Sequence, residues 1–307
     1  MEQARIQGIA NHWSHGAGVR IAAALALSLM VSCGATTPNA PAAGTNKRLD
    51  EKWGAVQLER KSKYSTIRVR QLGSVRSLTF AGPDGNEAIQ TQVDLVRPYA
   101  LRLNYGPFMF ASYLLRPHQE RVLIVGLGGG AMVLFLREYD PSLRVDAVEI
   151  DPEVTRIASE YFGVRSDEKV NVVTADGVEF LKSTDQMYDV IYMDTYLTPS
   201  DSTDAIGVDS TMRTVTFYQN VQRRLTPGGI IVFNINWHDR ISADLASIRS
   251  MFPQTYVFEM PFNGGYVVLG SMDSRRIDRT ELIARARTAQ GVFHPDFSFE
   301  QLLRTLR

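Results

Sequence analysis

The chain has 307 residues, 44% hydrophobic and 21% charged. That supports a folded body of one large domain or two ordinary ones and excludes a disordered chain. Lys plus Arg and Asp plus Glu both number 33, so the formal net charge is zero and a general nucleic-acid binder, which carries a basic excess, is not expected. The single cysteine, Cys33, excludes an intramolecular disulfide framework and a cysteine-based zinc site. The histidines are scattered, and no metal is expected.

Ile21 to Val31 reads IAAALALSLMV, an apolar run interrupted only by Ser28. A bilayer span needs about 20 residues. This shorter run fits the apolar region of a signal peptide, behind a polar stretch carrying Arg5 and Arg20. Met30-Val31-Ser32-Cys33 resembles the lipobox of bacterial lipoproteins, which implies that Cys33 is lipidated and becomes the mature N-terminus. Gly34 to Asn46 has no charge and no large side chain, the composition of a flexible tether. Residues 1–32 are thus expected to be a signal peptide and 33–50 a tether. The protein is then expected in the bacterial cell envelope, lipid-anchored on its periplasmic or outer face, and in the cytoplasm only without that signal. The competing expectation is a buried N-terminal helix with Cys33 as an ordinary small hydrophobe.

Residues 51–118 are expected to form a small β-rich domain. Ser65 to Leu72 and Val75 to Phe80 flank Gly73-Ser74, a tight hairpin turn, and residues 82–86 are a second turn signal. Tyr99 to Leu115 has a helical pattern that Pro107 must break or kink. From Arg121 the texture alternates between strands and helices, which sets a second domain over 119–275. Val122-Leu123-Ile124-Val125 is an apolar run of the kind buried on both faces of a parallel sheet. Val145 to Ile150, Val170 to Thr174, Val190 to Met193 and Ile230 to Phe233 continue the series. Thr255 to Phe258 and Tyr266 to Leu269, separated by Asn263-Gly264-Gly265, are expected to pair antiparallel. This is a doubly wound α/β pattern, followed by a charged helical segment over 276–307.

In such sheets ligands bind beyond the carboxyl ends of the strands. Gly126-Leu127-Gly128-Gly129-Gly130-Ala131 follows the first of these strands, where Gly126, Gly128 and Gly130 allow a sharp turn and close approach to a ligand. Glu149 ends the second strand, where a carboxylate can accept both hydroxyls of a ribose. Asp176-Gly177 follows the third, placed to meet an adenine amino group or simply to cap the next helix. Asp194 ends the fourth, and Tyr196 beside it is a candidate pocket wall or a packing residue. The glycine run also fits the dinucleotide pattern G-x-G-x-x-A, with Glu149 at the spacing a nicotinamide enzyme uses. Neither G-x-S-x-G nor a P-loop is present.

Taken together, VLIVGLGGGA (122–131), AVEIDP (147–152), ADG (175–177), DVIYMDTY (189–196) and FYQNVQRRLTPGGIIVFNI (217–235) make residues 51–275 resemble the spermidine synthase family, the polyamine aminopropyltransferases, in its divergent branch. The resemblance implies the Rossmann-like fold of S-adenosylmethionine-dependent methyltransferases, preceded by a β-hairpin domain. It implies decarboxylated S-adenosylmethionine as co-substrate, its ribose on Glu149 and its adenine on Asp176, with Asp194 serving the amine acceptor and Tyr64 and Tyr196 on the substrate side. The partners it implies are a small amine or polyamine; the anchor adds the membrane, and a homodimer is a further expectation. Three positions depart from the family. Its loop GGGDGG has Gly129 here in place of the acid, its D-S-S-D-P has Leu197 in place of the second carboxylate, and its Tyr-Gln is Tyr64-Ser65. A site for cations should gather negative charge, and this one has shed part of it.

Three other readings remain open at this point. A methyltransferase would use intact S-adenosylmethionine on the same fold. A non-enzymatic lipoprotein would keep the fold as a binding module, a reading that gains from the fact that both nucleosides are made in the cytoplasm, which an anchored protein faces away from. A nicotinamide oxidoreductase rests on the glycine run and, beyond it, on Glu149 alone.

Overall fold

The computed structural model describes residues 46–82, 84–197, 203, 207–261 and 264–307. Cys33 and the apolar run before it lie outside the described residues, as do Pro83 and Asn263 of the expected turns. The described chain opens with helix α1 (Asn46–Trp53). The last part of the expected tether is therefore helical. Asp50 pairs with Arg70 at 2.6 Å and Trp53 is buried, so packing, which composition does not report, sets the conformation there.

Strands β1 (Ala55–Lys61), β2 (Thr66–Leu72), β3 (Val75–Ala81) and β4 (Glu87–Asp94) form an antiparallel sheet in sequence order. Leu72 pairs with Val75 across the Gly73-Ser74 turn, and Gly73 takes a positive φ of 59° there. Alternation puts Ile67 and Val69 on one face, where with Leu78 and Val93 they pack on Val154, Ile157 and Phe162 of the helix that follows the second core strand. The helix expected over Tyr99–Leu115 is instead two short ones, α2 (Gly106–Met109) and α3 (Ser112–Leu115). Pro107 lies in the first turn of α2, where its missing N–H costs nothing, so it starts a helix and cannot continue one.

The second sheet is built from β5 (Arg121–Val125), α4 (Ala131–Tyr139), β6 (Arg144–Glu149), α5 (Pro152–Phe162), β7 (Val170–Thr174), α6 (Gly177–Ser183), β8 (Tyr188–Met193), α7 (Val215–Arg223), β9 (Leu225–Ile235), α8 (Ile241–Met251), β10 (Gln254–Glu259) and β11 (Tyr266–Ser271). Its strand order is β10-β11-β9-β8-β5-β6-β7. Neighbours from β9 to β7 run parallel, and β11 lies antiparallel between β10 and β9. Every residue of β8 is buried, as its apolar run requires with helices on both faces. On one face lie α2, α3, α4 and two C-terminal helices, α9 (Arg279–Phe293) and α10 (Phe299–Leu302); on the other lie α6, α7 and α8. The charged C-terminal segment belongs to this body. Leu282 and Ala286 are buried in it, and Arg285 donates to the carbonyls of Leu114 and Leu115 at the end of α3. Residues 46–307 thus pack as one unit.

The chain order reverses at β5, with β6 and β7 to one side and β8 and β9 to the other. A crevice opens beyond the carboxyl end of such a strand. The expected α/β architecture with its small N-terminal sheet is the one observed, and it fixes where a site must lie.

Candidate active site

The glycine loop leaves β5 by a turn that only glycine makes without strain. Gly126 has a φ of +94°, and a Cβ there would stand 2.0 Å from the Asp194 carbonyl oxygen. Gly128 and Gly130 follow in the same loop, and Gly130 begins α4. Gly177 opens α6 pressed against Val125, which a Cβ would meet at 2.3 Å. These glycines bring the ends of β5, β7 and β8 together.

Glu149 is buried at the end of β6 and bound to this loop. One carboxylate oxygen accepts from the N–H of Leu127 at 3.0 Å and of Gly128 at 3.3 Å; the other accepts from Asp151 N–H at 3.0 Å. Burial pushes its carboxyl above the ordinary range, and the three N–H donors offset part of that rise. The oxygen bonded to Leu127 and Gly128 is fully used, while the one bonded to Asp151 keeps a lone-pair site for a further donor, so the group can reach a ribose hydroxyl while holding the loop. Asp176 is the N-cap of α6: one of its oxygens accepts from Val178 and Glu179 N–H at 2.8 and 3.2 Å. The capping role and the exposed position leave its second oxygen available to a ligand.

Asp194 sits one strand over, its N–H on the Val125 carbonyl at 2.9 Å. The Tyr105 hydroxyl donates to one carboxylate oxygen at 2.7 Å, and the Asn234 amide donates to the other at 2.9 Å. Burial raises the Asp194 carboxyl above the ordinary aspartate range, and these two neutral donors restore only part of its acidity. The Tyr105 hydroxyl is itself pushed well above the tyrosine range, first by burial and then by the carboxylate beside it, so it stays a donor. Asp194 and Tyr105 line a cleft of about 400 Å³ whose other walls include Gly126 and Leu127 of the loop, Thr91 of β4 and Arg102. A half-buried carboxylate held by two neutral donors beside an open cleft can accept a proton from a bound nucleophile.

Thr91 explains the departure at Gly129. Its hydroxyl accepts the Gly129 N–H at 2.8 Å, and its methyl would stand 2.9 Å from a Cβ on Gly129. An aspartate at 129 has no room beneath β4. The small N-terminal sheet therefore seats directly on the loop.

Tyr196 stands beside this cluster, close enough for its charge to act on the Tyr105 hydroxyl, and Tyr64 lies ahead of β2. The Tyr196 hydroxyl donates to the Asn234 carbonyl at 2.6 Å and accepts from Asn236 N–H at 3.0 Å, which ties the segment after β8 to β9. Tyr64 lies in the turn before β2, where Ser62 donates to the buried Asp151 carboxylate; the Lys63 ammonium stands over the Tyr64 ring at 4.6 Å. Neither tyrosine is in the wall of the cleft. The structure thus brings together Gly126, Glu149 and Asp194 from the sequence reading, with Asp176 at the neighbouring strand end. It adds Thr91, Tyr105 and Asn234. Asn234 carries the same signal that singled out Asp194, a polar residue at the end of an apolar strand; Thr91 and Tyr105 have no such signal.

A glycine loop after the first core strand, an acid at the end of the second and a carboxylate at the fourth, on this strand order, define the Rossmann-like methyltransferase fold. Within it the chain belongs to the spermine/spermidine synthase family: the spermine/spermidine synthase domain matches residues 109–263. A polyamine aminopropyltransferase of Vibrio vulnificus is 30% identical over 244 residues, spanning 77% of this chain and 78% of that one. The human eEF1A lysine and N-terminal methyltransferase is 34% identical over 148 residues, 44% of this chain and 20% of that protein. Among solved structures, a probable spermidine synthase from Corynebacterium glutamicum superposes with a TM-score of 0.63 at 22% identity, covering 77% of this chain and 88% of that one.

Proposed function

We propose that the chain is a transferase that moves an alkyl group from a sulfonium nucleoside to an amine, in the family's pattern an aminopropyl group from decarboxylated S-adenosylmethionine to a polyamine acceptor. The observation that carries this reading is Asp194: a half-buried carboxylate in the cleft wall, bound among the described residues by the neutral donors Tyr105 and Asn234. An amine is mostly protonated near neutral pH and must lose a proton before it attacks. Asp194 takes that proton. The amine lone pair then forms a bond to the carbon beside the sulfonium, the carbon–sulfur bond breaks, and its electron pair neutralises the sulfur, so methylthioadenosine leaves. Glu149 and Asp176 orient the nucleoside, and the glycine loop brings its sulfur end toward Asp194. Holding two substrates in line supplies much of the rate.

Methyl transfer from intact S-adenosylmethionine is the second reading. The contact of Thr91 with Gly129 favours it, because no carboxylate stands where the family places one. The two reactions release different nucleosides. Purified protein incubated with each donor and a panel of amines should release methylthioadenosine if aminopropyl moves and S-adenosylhomocysteine if methyl moves. Binding of either product with no turnover on any amine would leave a binding module. The anchor is a separate proposal, tested by labelled palmitate that should enter the full-length protein and be absent from Cys33→Ser.

A further inference from the structure

The cleft beside Asp194 has an unusual charge pattern for a polyamine site. Among the described residues of its wall the one carboxylate is Asp194 and the one cation is Arg102, from the stretch between β4 and α2. The other polar side chains of the wall, Gln90, Thr91 and Gln92, are neutral, and Tyr105 stays protonated. Arg102 is exposed, and among the described residues its guanidinium makes no hydrogen bond and no ion pair. Asp94 feels its charge at longer range but is engaged with the Val96 N–H.

We propose that Arg102 is a specificity-determining residue that selects a donor still carrying its α-carboxylate, S-adenosylmethionine itself, by pairing with that carboxylate. The inference rests on the second reading above, methyl transfer from intact S-adenosylmethionine at a sulfonium-nucleoside site, and stands against the decarboxylated donor of the first. The glycine loop that would seat the nucleoside forms one wall of the cleft, so the donor's tail extends into the space that Arg102 borders. An intact tail is a zwitterion, matched by a cleft wall that offers both an anion, Asp194, and a permanent cation, Arg102. A decarboxylated tail presents an ammonium alone, which the guanidinium repels and which no acid at residue 129 offsets. The planar fork of an arginine fits a carboxylate through two parallel N–H bonds, a match that neither glutamine nor lysine reproduces.

Three nucleosides separate the contributions in calorimetry on the full-length protein: methylthioadenosine, which lacks the amino-acid tail, S-adenosylhomocysteine, and decarboxylated S-adenosylhomocysteine, which differs from it by the carboxylate alone. Wild type should bind S-adenosylhomocysteine at least tenfold more tightly than the decarboxylated form. Arg102→Gln should erase that ratio and leave methylthioadenosine affinity unchanged, with Arg102→Lys in between. Equal or tighter binding of the decarboxylated form by wild type overturns the proposal, as does an Arg102→Gln variant that weakens both by one factor. If methylthioadenosine binds and only the ratio fails, the nucleoside reading stands without this selector. If no nucleoside binds, both fall together.

Discussion

Two regions of this protein bury carboxylates, and they treat them in opposite ways. In the N-terminal sheet the Glu87 side chain is fully buried against Arg70, itself fully buried, and Arg68. Its oxygens accept from Arg70 Nε and Nη2, both at 2.8 Å, from Arg68 Nη1 at 2.7 Å and from the Thr79 hydroxyl at 2.6 Å. Burial alone would raise its carboxyl; the bonds from Arg70, Thr79 and Arg68 outweigh it and hold the group at about 2. At the edge of the core sheet Glu149 is buried and Asp194 half-buried, among the described residues both have neutral donors only, and both are pushed above the ordinary range. The first arrangement compensates every charge and leaves nothing for chemistry. The second keeps carboxylates that hold protons more tightly, at a cost in stability once they ionise. A general base needs that second environment.

The sharpest way to break the comparison is to remove the compensated charge. Glu87→Gln leaves Arg70 buried with reduced pairing, and loss of one partner of a buried pair costs about 3–5 kcal/mol. Chemical denaturation should show a loss of that size, with the acid dependence altered as well. Because the folded group is held at about 2 against an ordinary value of 4.5, its contribution is present above 4.5 and lost as pH falls toward 2. The variant should lack that loss. A variant as stable as wild type would mean that the network adds nothing net.

Asp194→Asn comes next. A proton acceptor on the nucleophile's side should leave nucleoside affinity within a few-fold of wild type while turnover falls by about 100-fold or more. If the carboxylate instead only holds the segment after β8, stability and nucleoside affinity should fall together. The linkage has the opposite sign from Glu87. The raised carboxyl contributes stability below its unfolded value, and that contribution is lost as pH rises through the folded one.

How far the sequence carried this picture follows from what each region depends on. The core strands were legible because burial on both faces writes a continuous apolar run, as in residues 122–125 and 190–193. Glu149 and Asp194 stood out as polar residues ending such runs. The N-terminal network was not legible: Arg68, Arg70 and Glu87 alternate with apolar residues as any exposed sheet face would, and only α1 and the neighbouring strands turn that face inward. Thr91 and Tyr105 escaped for a related reason. Their partners, Gly129 and Asp194, lie 38 and 89 residues away, and nothing local marks the contact.

Glu149→Gln sharpens the site half of the comparison. An amide cannot accept on both sides, so one of its ends must face the N–H groups of Leu127 and Gly128 or of Asp151. Charge-assisted bonds contribute about 1.5–3 kcal/mol each. Nucleoside affinity should therefore fall at least tenfold in calorimetry, with a melting curve that stays cooperative. Unchanged affinity with a lowered melting temperature would make Glu149 a brace for the loop and nothing more.

The smallest effect, and the most specific, belongs to Tyr105→Phe. The ring is kept, so the cleft keeps its wall and only the hydroxyl that donates to Asp194 at 2.7 Å is lost. That donor favours the ionised carboxylate against a burial that disfavours it. Without it Asp194 binds its proton more tightly, and the fraction of enzyme with a free base falls at any pH near the carboxyl's own value. The acid limb of the profile of kcat/KM should therefore move to higher pH. The plateau at high pH should fall by about tenfold or less, roughly the 0.5–1.5 kcal/mol of one hydrogen bond. A tyrosine that merely fills space would leave the acid limb where it is. An upward shift with a nearly unchanged plateau ties the hydroxyl to the ionisation of Asp194, and so to the uncompensated burial that sets this site apart from the Glu87 network.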